Sequence, residues 1–272
     1  DLEEVEAGQT ADAQTLLRNA LRIDGKFVPA RVALADLLLR SCDYDKALQI
    51  AHRADADTPE DARLERVLGR VHERLDDTEK AELHYRAATQ LDRTDSESMF
   101  ALANIYRRTR RTLQAQRQLR VLLDADSGNE KARELLALAL LEDGKADAAL
   151  QEYQQLQKIT KKPTTIARCR ALLDTDLRKD PAARRKLLLD AVAEGGADAP
   201  TLIAAAETYE DTDPQKCREF FAQASALDAD AEEAALGVVR ADQHLLDLEQ
   251  AAEGLERLLQ CRPNQHAWRR AL

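Results

Sequence analysis

VPARVALADLLLRSCDYDKALQIAHRADADTPED, residues 28–61, decides the fold. With Val28 as position one, a small residue stands at position eight and another at position twenty, each set among leucines and other helix formers. Both columns return every 34 residues: position eight reads Ala35, Gly69, Ala103, Ala137 and Ala171, and position twenty reads Ala47, Ala81, Ala115, Ala149 and Ala183. Position seven holds Leu34, Leu68, Leu102 and Leu136, and position twenty-four holds Ala51, Tyr85, Leu119, Tyr153 and Leu187. Independent columns that share one period mark an array of stacked units, each too small to bury its apolar face alone.

The surrounding composition agrees. The chain has 272 residues, of which 44% are hydrophobic, 33% charged and only 4% aromatic, so strand formers are scarce and an all-α protein is expected. No run approaches the roughly 18 apolar residues that a membrane span needs. The four cysteines (Cys42, Cys169, Cys217, Cys261) lie far apart without CxxC spacing, which argues against a zinc site or a dense disulfide framework. They read as reduced thiols, most of them packed as small hydrophobes.

The columns resemble the tetratricopeptide repeat, whose pattern is L-G/A-x-x-Y, then Ala, then an aromatic, then Pro. The stretch VLGRVHERLDDTEKAELHYRAATQLD matches best, with Leu68, Gly69, His72, Ala81, Tyr85 and Ala88 on the key positions. Two antiparallel helices approach closely only where small side chains occupy the crossing, and Leu and Tyr then fill the groove around it. One column departs. Position four, aromatic in the family, reads Arg31, Glu65, Met99, Arg133 and Ala167. The resemblance implies an α-solenoid of helix-turn-helix repeats wound into a right-handed superhelix, with the first helix of each pair lining a concave, partner-binding face.

Read along the chain, residues 1–27 form a partial repeat that has lost its opening helix, with Ala13, Leu17, Ala20 and Gly25 on second-helix positions. Five repeats fill 28–194. GGADAP, residues 195–200, contains a phase slip at 195–198, where altered inter-repeat geometry is expected, and two further repeats fill 199–265. NQHAWRRAL opens another helix within 266–272 and stops, as a further repeat of a longer protein would.

Charge is unevenly spread. The formal net charge is -10, yet IYRRTRRTLQAQRQLR, residues 105–120, carries six arginines and no acid. On the groove stripe (positions two, five, nine, twelve and thirteen), the repeat at 62 presents Arg63, Arg66, Arg70 and Arg74, and the next presents Asn104, Arg107 and Arg108. Lys131 follows in the repeat at 130, with Leu138 and Leu141 as an apolar continuation. Arginines four residues apart on a helix repel by about 0.2–0.5 kcal/mol per pair, a cost that an acidic protein or peptide partner in the groove would offset. The competing reading is structural: last-turn arginines complement the helix dipole, and Asp36 and Glu73 pair with neighbours along the same surface. With no acid between Ser98 and Leu123, neutralisation there has to come from other repeats.

Among family members, chaperone adaptors hold acidic C-termini in a carboxylate clamp. Arg66 and Lys131 match its charges here, but its asparagine positions hold Arg70 and Ala101 and its last arginine position holds Leu135, so the clamp is not reproduced. Arginine ladders also bind phosphates, yet a sequence pI near 5.2 and arginines without interleaved aromatics argue against nucleic acid. Self-association through open solenoid ends is a third reading. Five scattered histidines and the absence of P-loop, GxGxxG, G-x-S-x-G and HExxH motifs leave no catalytic residues, metal ligands or cofactor to assign. The expected activity is binding without reaction, by a scaffold or adaptor.

Overall fold

The structure, a computed structural model, describes residues 2–57, 61–228 and 231–261. They are helical throughout, with sixteen helices and no strand among the described residues. The chain divides into two compact units, 1–125 and 126–260. The first contains α1 (Leu2–Ile23), α2 (Val28–Arg40), α3 (Tyr44–Asp57), α4 (Ala62–Arg74), α5 (Thr78–Leu91), α6 (Ser96–Arg108) and α7 (Thr112–Ala125). The second contains α8 (Glu130–Glu142), α9 (Ala146–Ile159), α10 (Pro163–Leu173), α11 (Thr175–Lys179), α12 (Pro181–Gly195), α13 (Ala199–Glu207), α14 (Pro214–Leu227), α15 (Glu232–His244) and α16 (Leu248–Cys261). The expected helix at NQHAWRRAL lies outside the described residues.

Helix boundaries follow from local chemistry. Asp61, Asp77, Asp95, Asn129, Asp198 and Asp213 cap α4, α5, α6, α8, α13 and α14 by accepting from backbone N–H groups that have no intrahelical partner. Five of the first helices, α2, α4, α6, α8 and α15, end in the same turn. Asp77 N–H reaches His72 C=O and Asp76 N–H reaches Glu73 C=O, and the same pair of bonds recurs at Cys42/Asp43, Arg110/Arg111, Gly144/Lys145 and Leu246/Asp247. This is a Schellman closure, and its pivot residue is left-handed in every case, although only Gly144 is a glycine.

Packing bears out the small-residue columns at every position but Ala183, which is half-buried. Ala35, Ala47, Ala81, Ala103, Ala115, Ala137 and Ala149 are fully buried. At Gly69 a Cβ would lie 2.8 Å from the Tyr85 ring, so the two helices of that repeat touch through a position where only hydrogen fits. Leu17 and Leu21 of α1 pack on the core built by Leu34, Leu38, Val67 and Leu68.

The structure also explains position four. Arg31 is buried and donates to Gly25 C=O. Arg133 donates to Ser127 C=O at 2.9 Å and to Glu152 at 2.8 Å, while Glu65 faces His84 Nδ1 at 2.8 Å. The Glu65–His84 and Arg133–Glu152 pairs both span nineteen residues, so one polar tie with its charges reversed replaces the aromatic in two repeats.

Two features depart from expectation. The repeat at 164 is not a plain helix pair: α10 stops at Leu173, Asp174 caps the one-turn helix α11, and Asp180 caps α12. Cys42 is disulfide-bonded, which corrects the reading of four reduced thiols. Cys169 and Cys217 are free and buried. Gly195 lies within α12, where a Cβ would meet the Pro163 ring at 2.8 Å, and Gly196 caps the helix with φ 83°. Among the described residues, no helix is long and apolar enough to cross a membrane, and no group of three His, Cys, Asp or Glu side chains is placed to hold a metal ion.

Candidate protein-binding surface

The first helices α2, α4 and α6 carry the arginines, and several of the guanidinium groups meet a carboxylate of the same or a neighbouring repeat. Arg70 meets Asp36 at 2.7 Å. Arg66 meets the buried Asp95 at 2.7 Å and Glu97 at 3.4 Å, so it ties α4 to the N-terminus of α6. Arg108 reaches back to Glu73 at 3.7 Å, and Glu73 also accepts from the Tyr85 hydroxyl at 2.9 Å. Arg63 turns to the cap of its own helix, Asp61, at 2.6 Å. In the turn, Arg111 grips Glu82 at 2.5 and 3.0 Å and lies over the Tyr106 ring. The acids missing from residues 99–122 are thus supplied by Glu73 and Glu82 of the preceding repeat.

These contacts alter the local electrostatics. Burial raises the Asp36 carboxyl above its ordinary value, and the Arg70, Arg66 and Arg40 cations counter only part of that rise. Glu82 is held low, chiefly by its hydrogen bonds from Arg111. Asn104, Arg107 and Arg74 are half-buried along the same helices, and Arg108 keeps half of its side chain in solvent. Arg117 and Arg120 are exposed on the second helix α7. In the second unit Lys131 is exposed, and Leu138 and Leu141 are half-buried on α8.

One relation escaped the sequence reading. Arg168 is buried, donates to both carboxylate oxygens of Glu134, and holds Asp198, the α13 cap, at 2.7 Å. Arg66 and Arg168 occupy the same repeat position, and each grips the aspartate that caps the next repeat's first helix. The span is 29 residues in one case and 30 in the other, so the one-residue slip is absorbed before Asp198.

Models of the tetratricopeptide repeat match residues 4–71, 67–95 and 100–163, together more than half of the chain. The chain belongs to the tetratricopeptide repeat family. No curated protein sequence matches it significantly. A tetratricopeptide repeat protein from Parabacteroides merdae superposes with a TM-score of 0.68 at 15% identity, covering 88% of this chain and 95% of that one. Yeast Tom70 gives 0.63 at 15% identity over 92% of this chain and 54% of its own. A chain of the APC/C hetero-tetramer Cut9–Hcn1 gives 0.55 at 13% identity over 97% of this chain and 52% of its own. At these identities the likeness is one of fold, and in that fold the tetratricopeptide columns account for the buried alanines and Gly69.

Proposed function

We propose that this protein is a scaffold that holds an acidic segment of a partner protein against the first-helix face of its N-terminal unit. The carrying observation is that Arg108, half-exposed on α6, is only loosely tied to Glu73, while Arg66 and Arg70 on α4 make short ion pairs at 2.7 Å. On this reading Arg66 and Arg70 brace repeats, while Arg108, with Asn104 and Arg107 beside it on α6, meets the partner. Membership of a family built for protein contacts supports the reading, as does a fold relative seated in the APC/C hetero-tetramer Cut9–Hcn1.

Fluorescence anisotropy with a labelled oligoglutamate peptide tests it. Binding to the whole chain should weaken as salt rises. The double substitution Arg107→Glu, Arg108→Glu should cost tenfold or more, about 1.4 kcal/mol, and Arg117→Glu with Arg120→Glu little. Equal losses from the two pairs, or tighter binding of a single-stranded RNA of equal charge, would overturn the assignment.

A further inference from the structure

The two ends of the charge scale lie in different repeats. Residues 195–260 hold fifteen Asp and Glu against four Lys and Arg, an excess of eleven negative charges, whereas 101–123 hold six arginines and no acid. Repeat position sharpens the contrast. Positions nine, twelve and thirteen read Asn104, Arg107 and Arg108 in the repeat at 96, and Glu207, Glu210 and Asp211 in the repeat at 199. The stripe that is basic in the first unit returns in the second with its sign reversed.

Neither surface is tightly neutralised by its own chain. Glu207, 44% exposed, meets Arg184 only at 3.8 Å, and Glu210, 39% exposed, meets Arg240 only at 3.9 Å. Asp211 and Glu233 are exposed. Burial, followed by the Glu233 charge, raises the Glu207 carboxyl; Glu210 adds to the rise, and Arg184 and Arg240 offset only part of it, so these acids share one field. On the basic side Arg108, half-exposed, stands 3.7 Å from Glu73, whereas the bracing pairs of Arg66 and Arg70 close to 2.7 Å. Loose pairs on both surfaces leave charge that a nearer counter-charge can take up.

A second copy of the chain supplies that counter-charge to both surfaces at once, on elements of the same repeat geometry. The net charge of -10 opposes the approach of two copies. At physiological salt, however, that repulsion is screened beyond about 8 Å, while contacts at ion-pair distance persist.

We infer that the acidic partner of Arg107 and Arg108 is the Glu207–Asp211 surface of a second copy of this chain. The inference rests on the proposed acidic-partner reading and names the partner. Each copy carries one surface of each sign, so the contact is heterologous.

Sedimentation velocity of the whole chain tests it. Mass should rise with protein concentration at about 0.1 M salt and fall to that of the monomer at about 1 M. Glu210→Arg with Asp211→Arg should hold the chain monomeric, and so should Arg107→Glu with Arg108→Glu. Mixed in equal amounts, the two variants should associate again, because each retains the surface that the other has lost; damage to folding would not be repaired by mixing. A chain that is monomeric at every concentration, association that survives about 1 M salt, or mixed variants that stay apart overturns the inference. Anisotropy with the oligoglutamate peptide separates this failure from that of the underlying reading. A monomeric chain that binds the peptide refutes the second copy alone, and a monomeric chain that does not bind it refutes both.

Discussion

Asp36 and Arg70 hold the same position in successive repeats, thirty-four residues apart, and meet at 2.7 Å. Each repeat thus presents one charge of a pair that only the neighbouring repeat completes. Arg70→Ala should raise the Asp36 pKa further, because burial already pushes it up and Arg70 is the chief influence pulling it down. With the Arg70 side chain 36% exposed, the stability loss should be about 1 kcal/mol at most. The exchange Asp36→Arg with Arg70→Asp should recover most of it in a double-mutant cycle. Additive losses would mean that the two residues do not couple.

Gly69→Ala is expected to destabilise even though alanine favours helix over glycine by about 1 kcal/mol. The new methyl would sit 2.8 Å from the Tyr85 ring, and overpacking at such a site costs about 1–3 kcal/mol. Chemical denaturation of Gly69→Ala and of Gly69→Ala with Tyr85→Leu decides the cause: the second change should relieve the first.

The left-handed pivots give a stabilising substitution. Leu246 has φ 59° and is 81% exposed, so it carries backbone strain with little burial in return. Leu246→Gly should gain roughly 0.5–1 kcal/mol, the difference between the left-handed penalty and the entropic cost of glycine. An unchanged or lower denaturation midpoint would refute it.

Acid should loosen the first unit through His72. Its ring stacks on His84 at 5.3 Å, and burial, followed by the His84 charge, depresses its pKa below the ordinary 6.5. Lys80 and His52 push the same way, whereas Asp77 opposes them, and Glu65 faces His84 from α4. The unfolded chain takes up the proton at 6.5 and the folded one only at lower pH. The stabilisation is therefore complete above 6.5 and declines as pH falls from there toward the depressed value. Between about pH 7.5 and 5 the melting temperature of the wild type should fall more steeply on acidification than that of His72→Phe; parallel curves would clear His72 of the effect.

The 34-residue columns were legible because close packing tolerates few residue types: Ala47, Ala81 and Ala115 are identical, fully buried, and in register. The partners of the arginines were harder to read. Asp36 stood out as a nearby acid, but Glu82 as the partner of Arg111 did not, since which acid a flexible guanidinium reaches depends on how far the next repeat is rotated. α11 did leave a signal in DTDLRKDP, residues 174–181, where one aspartate precedes a short helical run and another precedes a proline. The 34-residue frame overrode it.

Asp95 and Asp198 each serve two masters, accepting a backbone N–H that starts a helix and a guanidinium from the repeat before it. Undocking Arg66 therefore weakens the nucleus of α6, and fraying of α6 leaves Arg66 without its counter-charge. Linkage of that kind makes stability contagious along the chain. Amide exchange at the first turn of α6 should follow the opening of α4, with the two helices losing protection as a single cooperative block.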